Sequence, residues 1–101
     1  MKKYYDKIDI ENNLGINKSL ARKYNAIKSF LAKNNNVVLE NGCLNHLISN
    51  IEYVRYDTGR IFETEDYIII HLDNKKSYSF NNFKELKIDR KYKTIEYIRA
   101  Y

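Results

Sequence analysis

A single cysteine and two histidines are the residues of this chain best suited to hold a metal ion or to act in catalysis. Cys43 and His46 are three positions apart, and His71 lies well beyond them. Structural zinc needs four ligands, usually in two close pairs, so one pair and a distant histidine are too few. A Cys–His pair can activate a thiol, but no glycine-rich turn or orienting motif surrounds Cys43. We therefore predict no metal site, no cofactor and no catalytic residue here.

Carboxylates gather between residues 57 and 66 and form the second set that chemistry could use. They are Asp57, Glu63, Glu65 and Asp66. Carboxylate oxygens are ligands that Mg²⁺ prefers, so a nuclease centre is one interpretation. Such a centre usually has a lysine close behind its carboxylates on a strand, and none follows Glu63 or Glu65. The chain has only three glycines and no phosphate-cradling loop, so we predict a binding protein and not an enzyme.

Charge is distributed unevenly along the chain, whose net charge is +5. Residues 1–33 and 75–101 each carry a net charge of +5, whereas residues 34–74 carry −5. Basic surface attracts polyanions, and nucleic acid is the commonest polyanion in a cytoplasm. The sequence leaves open the alternative that these charges only keep the protein in solution.

A helix predicted over residues 18–33 offers the first basic surface. Its apolar stripe is formed by Leu20, Tyr24, Ile27 and Leu31, with Asn17 as the N-cap and Asn34–Asn36 at the end. The opposite face carries Lys18, Arg22, Asn25 and Ser29. Arginine and asparagine can read base edges in a major groove, while lysine and serine can contact phosphates. An ordinary amphipathic helix also has a polar outer face, so this alternative stays open.

The segment Leu14-Gly15-Ile16-Asn17-Lys18-Ser19-Leu20-Ala21-Arg22-Lys23-Tyr24 resembles the turn and recognition helix of bacterial helix-turn-helix proteins. The positions that match the apolar set and turn glycine of that family are Ile10, Leu14, Gly15, Ile16, Ala21 and Tyr24. The resemblance covers about residues 7–26 and implies binding to DNA rather than RNA. The groove and backbone contacts that it implies are Asn17, Lys18, Ser19, Arg22 and Lys23.

Tyrosines and cations alternate in the C-terminal third, which offers a second basic surface. The tyrosines are Tyr78, Tyr92, Tyr97 and Tyr101. Aromatic side chains on strands can stack on bases while cations hold phosphates. The cations predicted to bind nucleic acid here are Lys75, Lys76, Arg90, Lys91, Lys93 and Arg99. The alternative is that tyrosine is simply a favoured strand residue.

A different class of function is suggested by the small size, the lack of a catalytic motif and the patterned charge. In these general features the chain is similar to anti-CRISPR proteins, which implies an inhibitor that binds a host defence nucleoprotein. The acidic residues that would contact such a partner are Glu52, Asp57, Glu63, Glu65, Asp66 and Asp73. Tyr, Asn, Ile and Lys are abundant and have AT-rich codons, which indicates a bacterium, a phage or a mobile element. The lone cysteine and the lack of an apolar span predict a cytoplasmic protein without membrane contact.

The length of 101 residues predicts a single domain of the α+β class. We expect two or three N-terminal helices packed on an antiparallel meander of four or five strands, with the helical part over about residues 1–51 and the β part over about residues 53–101. Shorter helices are predicted over residues 8–14 and 43–51. Strands are predicted at residues 53–56, 60–64, 67–72, 77–80 and 93–99, and residues 84–88 fit either structure. The last strand is expected at a sheet edge, where a second copy could pair to give a homodimer.

Overall fold

The computed structural model describes residues 8–13, 15–41, 44–61 and 64–98. Within these residues the chain forms one α-helix, α1 (Lys18–Lys33), and six strands. The strands are β1 (Val38–Asn41), β2 (Leu44–Asp57), β3 (Thr64–Leu72), β4 (Ser77–Phe80), β5 (Leu86–Asp89) and β6 (Thr94–Tyr97), with a 3₁₀ turn at Phe83–Glu85. The prediction of two or three helices on an antiparallel meander of four or five strands is therefore wrong.

Helix α1 forms where the sequence predicts it, over residues 18–33, because its ends and its apolar stripe are encoded locally. At its start, the side-chain oxygen of Asn17 accepts a hydrogen bond from the backbone N–H of Leu20 at 3.1 Å. At its end, the side-chain amide of Asn34 donates to the carbonyl of Phe30 at 2.9 Å. The apolar stripe is buried in the core. In the part of the chain described, no helix has the length and apolar character needed to cross a membrane.

The helix predicted over residues 43–51 is wrong, because the described part of this stretch belongs to β2. The pairing of β2 with β3 shifts register between Ile48 and Asn50, which marks a β-bulge at Ser49. The extra residue lets Ile48 and Ile51 both face the core, where both are buried. Apolar residues three positions apart are a sequence pattern typical of a helix. The pairing of β2 with the distant strand β3 makes this stretch a strand despite that pattern.

The short helix predicted over residues 8–14 is also wrong, since its described residues form turns. The carboxylate of Asp9 accepts hydrogen bonds from the backbone N–H and the side-chain amide of Asn12, which stabilises a turn. The backbone N–H of Ile8 donates to Oδ1 of Asn25 at 2.8 Å, and Nδ2 of Asn25 donates to the carbonyl of Ile8 at 3.0 Å. These two bonds hold the segment against the flank of α1.

The division into a helical part and a β part does not hold, because β1 and the first half of β2 precede residue 52. The strands predicted at residues 53–56 and 67–72 fall within β2 and β3. The return strand predicted at residues 60–64 begins only at Thr64, and Arg60 lies in the preceding turn.

The strands form one mixed sheet in the order β4-β3-β2-β1-β6-β5, in which only β1 and β6 are parallel neighbours. The turn predicted at residues 73–75 and the strand predicted at residues 77–80 are confirmed as the hairpin of β3 and β4. Residues 84–88, for which the sequence fits either a helix or a strand, contain both: the 3₁₀ turn ends at Glu85 and β5 begins at Leu86. Strand β6 pairs on both sides and is therefore not the edge strand that the sequence predicts.

The sheet is strongly curled, so that its two ends approach each other across the core. Tyr97 of β6 contacts Tyr78 and Phe80 of β4, with ring centroids 5.6 and 5.3 Å apart, although these strands are far apart in the strand order. The concave side of the sheet holds the core together with α1. The convex side faces away from α1 and carries the alternate residues of each strand.

Candidate nucleic-acid interface

Helix α1 carries five basic residues and no acidic residue. Lys18, Arg22 and Lys33 are exposed on its outer side. Lys28 is buried and its ammonium group lies 5.5 Å from the centre of the Tyr24 ring. The outer side of α1 therefore presents three exposed cations, two near its start and one at its end.

The cation at the start of α1 is not explained by the stability of the helix. Lys18 is the first residue of α1, where the helix dipole favours negative charge by about 0.3–1 kcal/mol. The favourable charge at this end comes from Asp66, whose carboxylate accepts a hydrogen bond from the backbone N–H of Asn17 at 2.9 Å. The positive charge of Lys18 therefore opposes the helix dipole.

The turn between β5 and β6 holds a second group of cations in a fixed shape. Oδ1 of Asp89 accepts hydrogen bonds from the backbone N–H groups of Lys91 and Tyr92, at 3.0 and 3.1 Å. Lys93 has a positive φ of 56°, which completes the tight return into β6. The side chains of Lys91, Tyr92 and Lys93 are exposed, and 69% of the Tyr92 surface is accessible. The turn thus presents cations around one exposed aromatic ring.

Arg90 connects this turn to α1. Its guanidinium carbon lies 5.9 Å from the centre of the Phe30 ring, which belongs to the helix. A shallow depression of about 300 Å³ lies between the two elements and is lined by Ser29, Lys33 and Arg90 among others. The outer side of α1 and the β5–β6 turn therefore form one continuous surface.

Six cations on this surface have no ion-pair partner in the described part of the chain, and we refer to them as the basic surface. They are Lys18, Arg22, Lys33, Arg90, Lys91 and Lys93. Among the described residues, none of the six forms an ion pair within 4.0 Å. Their positive charge is consequently available to a ligand.

Three other residues predicted to bind nucleic acid are engaged within the protein. Asn17 caps α1, and Asn25 is bound to the backbone of Ile8. Nζ of Lys23 donates to the carbonyl of Leu86 at 2.9 Å, which ties α1 to β5. The predicted contact Ser19 is exposed at the start of the helix. The segment that would supply the first helix of a helix-turn-helix forms turns in its described residues, so the resemblance now concerns α1 alone.

Lys75 and Lys76 belong to neither of the two elements that form the basic surface. They belong to the turn between β3 and β4, and neither of these strands neighbours β5 or β6 in the sheet. Several residues singled out from the sequence lie outside the described residues, namely Leu14, Cys43, Glu63, Arg99 and Tyr101.

The acidic residues proposed to contact a protein partner do not form one surface. Asp66 is buried and accepts hydrogen bonds from Oη of Tyr53 at 2.5 Å and Nε of Arg55 at 3.0 Å. Burial raises the pKa of the Asp66 carboxyl, but the hydrogen bonds from Asn17, Tyr53 and Arg55 outweigh burial and lower that pKa below its ordinary value. Burial, followed by the hydrogen bond to Asp66, raises the pKa of Tyr53. Asp66 is therefore part of the fold and cannot meet a partner.

Three of the other acidic candidates have local partners. Asp57 accepts a hydrogen bond from the backbone N–H of Gly59 at 2.8 Å, and Oδ1 of Asp73 lies 3.7 Å from Nδ1 of His46. Oε2 of Glu52 lies 3.4 Å from Nε2 of His71. Glu52 shares the convex side of the sheet with other carboxylates. Their proximity does not follow from the sequence, because the pairing of distant strands brings them to this side. These carboxylates are Glu40, Glu52, Glu65 and Glu96.

The two histidines lie on different strands and do not approach a common metal position. His46 is on β2 beside Asp73, and Nδ1 of His71 on β3 lies 2.7 Å from Oγ of Ser77. Among the described residues, no three His, Cys, Asp or Glu side chains gather as a metal-binding group. Comparison with models of known protein families, with curated proteins and with solved structures finds no match to this chain.

Proposed function

We propose that the protein binds nucleic acid, and duplex DNA in preference to RNA, through the basic surface. The observation that carries this proposal is the continuity of α1 with the β5–β6 turn, which unites six cations that form no ion pair with the acidic residues the structure describes. Ordinary solubilising charge would be interspersed with acidic residues, whereas α1 contains none.

The dimensions of the basic surface suit a duplex backbone. From Lys18 to Lys33 the helix rises about 22 Å, which is long enough to meet several phosphates along a groove. Arg22 lies on the outer side of α1 between these ends, and its planar guanidinium can bind a guanine edge or a phosphate through two hydrogen bonds. In this arrangement the lysines and Arg90 fix the position of the DNA, and Arg22 is the residue placed to read a base.

The test is a titration of the protein against labelled duplex DNA, single-stranded DNA and RNA at two salt concentrations. Six phosphate contacts predict that the affinity falls by roughly 1,000-fold between 50 and 200 mM salt. We expect the duplex to bind most tightly, because a helix with outward cations fits a groove. An absence of binding to any of the three at 50 mM salt would refute the proposal.

A second candidate is an inhibitor that binds a basic protein surface, such as the nucleic-acid channel of a defence nucleoprotein. The observation that favours it is the convex side of the sheet, where Glu40 and Glu96 are neighbours on the parallel strands β1 and β6. A double charge reversal, Glu40→Lys with Glu96→Lys, would abolish capture of such a partner and leave DNA binding intact. Arg22→Glu would instead abolish DNA binding and leave capture of the protein partner intact.

A further inference from the structure

Strand β2 has an edge that is only partly covered. It is 14 residues long, but it pairs with β1 only through Leu44–Leu47, while β3 runs along its other side from Ile48 to Asp57. From Glu52 to Asp57, the edge opposite β3 faces no strand among the described residues. Such an edge presents backbone N–H and C=O groups that can pair with another strand.

A groove of about 690 Å³ follows this edge. One wall is formed by consecutive residues of β2 that include Tyr53, Val54 and Arg55, and the other wall includes Ile8, Ile16 and Tyr24. Because consecutive residues of one strand line it, the backbone of β2 forms part of the wall. The groove therefore has the form of a slot for an extended chain.

We propose that β2 of a second copy occupies this edge, antiparallel to the first, with a twofold axis at Val54. Residues that lie opposite each other in antiparallel strands have their side chains on the same side of the sheet. A twofold axis between two residues would pair side chains from opposite sides, so the axis must pass through a residue. An axis at Arg55 would oppose two guanidinium groups, which is unfavourable. An axis at Tyr53 would place Arg55 opposite the partner's Ile51, so that the partner strand would offer no polar group to this side chain, which binds Asp66 of its own chain.

The axis at Val54 gives both Arg55 and Tyr56 a polar neighbour on the partner strand. On the convex side, Tyr56 lies opposite the partner's Glu52, and a tyrosine hydroxyl already donates to a carboxylate on this side, from Tyr67 to Glu65 at 2.6 Å. Half of the Tyr56 surface is exposed in the single chain, and this pairing would cover it. On the concave side, Arg55 lies opposite the partner's Tyr53. The guanidinium can contact the face of this ring or donate a hydrogen bond to its hydroxyl oxygen.

The inference does not depend on nucleic-acid binding, and it replaces the dimer contact expected at the last strand. Strand β6 is paired on both sides, so an exchange of partners there would break existing hydrogen bonds. Pairing through β2 adds hydrogen bonds without breaking any strand pair described here. It would join two sheets into one and place two copies of the basic surface in one assembly.

Sedimentation equilibrium of the unaltered chain is the first measurement, and we expect the mass of a dimer that dissociates on dilution. The register is tested by Val54→Cys in a chain that also carries Cys43→Ser. Opposite residues of antiparallel strands have Cα atoms about 4.5–5.5 Å apart, within the range that a disulfide spans. Mild oxidation should therefore convert most of this variant to a covalent dimer.

The matched control is Ile69→Cys in the same background. Ile69 lies on the same side of the sheet, one strand further from the axis, and should remain monomeric on oxidation. A third variant, Val54→Lys, opposes two ammonium groups at the axis and should shift the equilibrium to the monomer at least tenfold, with an unchanged circular dichroism spectrum. A monomeric wild type at all concentrations, or equal cross-linking at positions 54 and 69, would overturn the proposal.

Discussion

Two charged regions of this chain differ in how their charges are balanced. Around Asp66, a buried carboxylate is held by Tyr53, Arg55 and the backbone of Asn17, so every group in the cluster has a partner. On the basic surface, the cations face solvent and form no ion pair among the described residues. The cluster joins the start of α1 to β2 and β3, whereas on the basic surface only Arg90 connects two elements, through its contact with the ring of Phe30.

This difference separates charges that stabilise the fold from charges that are available for binding. A buried charge that loses its partner is costly, so the cluster should be sensitive to any substitution. Exposed cations contribute little to stability, so the basic surface should tolerate substitution and lose only affinity. Substitutions in the cluster should therefore lower the free energy of unfolding, whereas substitutions on the basic surface should weaken DNA binding.

The largest effect is expected from Asp66→Ala. The substitution leaves the guanidinium of Arg55 and the hydroxyl of Tyr53 without their acceptor, and we expect a loss of about 3 kcal/mol in the free energy of unfolding. Urea denaturation followed by circular dichroism measures this loss. Tyr53→Phe removes one donor and keeps the Asp66–Arg55 pair, so it should cost only about 1 kcal/mol. Equal stability of Asp66→Ala and the wild type would show that the cluster is not structural.

Arg22→Ala should weaken binding to duplex DNA by about 1–3 kcal/mol and leave the free energy of unfolding nearly unchanged. The matched control is Lys75→Ala, which removes the same charge from the β3–β4 turn. If the location of the charge matters, the control loses much less affinity at the same salt concentration. Equal losses in the two variants would mean that only net charge attracts the DNA.

The sequence predicted the parts of the fold that local chemistry determines. Helix α1 and the β3–β4 hairpin each depend on contacts between residues close in the chain, and both were found where expected. The bulge at Ser49 defeated the prediction for residues 43–51, because the spacing of buried residues across it is helical while the backbone is extended. The parallel pair of β1 and β6 leaves no local pattern and was not predicted.

The candidate site was predicted in its parts but not in its assembly. Arg22 and Arg90 were both named from the sequence, yet only the curl of the sheet brings the β5–β6 turn beside α1. Lys23 and Asn25 have residue types typical of DNA contacts, and their bonds to β5 and to Ile8 depend on tertiary structure. Asp66 was predicted as a surface acid for the same reason, since burial of a carboxylate cannot be read from an acidic segment.

The pH dependence of the free energy of unfolding tests the Asp66 cluster in the unaltered protein. Folding lowers the pKa of Asp66, so its ionised form stabilises the folded state at pH values above the pKa of the unfolded chain. This contribution is lost as the pH falls from about 4 through the folded pKa. The free energy of unfolding should therefore fall in this range, and Asp66→Asn should show a shallower fall. A parallel decline in the two proteins would assign the acid sensitivity to other carboxyls.

The smallest effect is expected at Asp89, where two substitutions separate the effect of the shape of the β5–β6 turn from the effect of the charge of this carboxylate. Asp89→Asn keeps an oxygen that can accept from Lys91 and Tyr92 and removes a negative charge beside the basic surface, so DNA binding should strengthen slightly. Asp89→Ala removes the same charge but also the acceptor, and the turn loses its fixed shape. We expect the alanine variant to bind about 0.5–1 kcal/mol more weakly than the asparagine variant.

Asp57 provides the control for this pair, because it accepts from Gly59 in an exposed turn outside the β5–β6 turn. Asp57→Ala and Asp57→Asn should bind DNA with equal affinity. A difference at position 89 without one at position 57 would show that the β5–β6 turn binds DNA as an ordered element. If neither position shows a difference, the cations of that turn act only through their charge, and α1 alone would determine the geometry of binding.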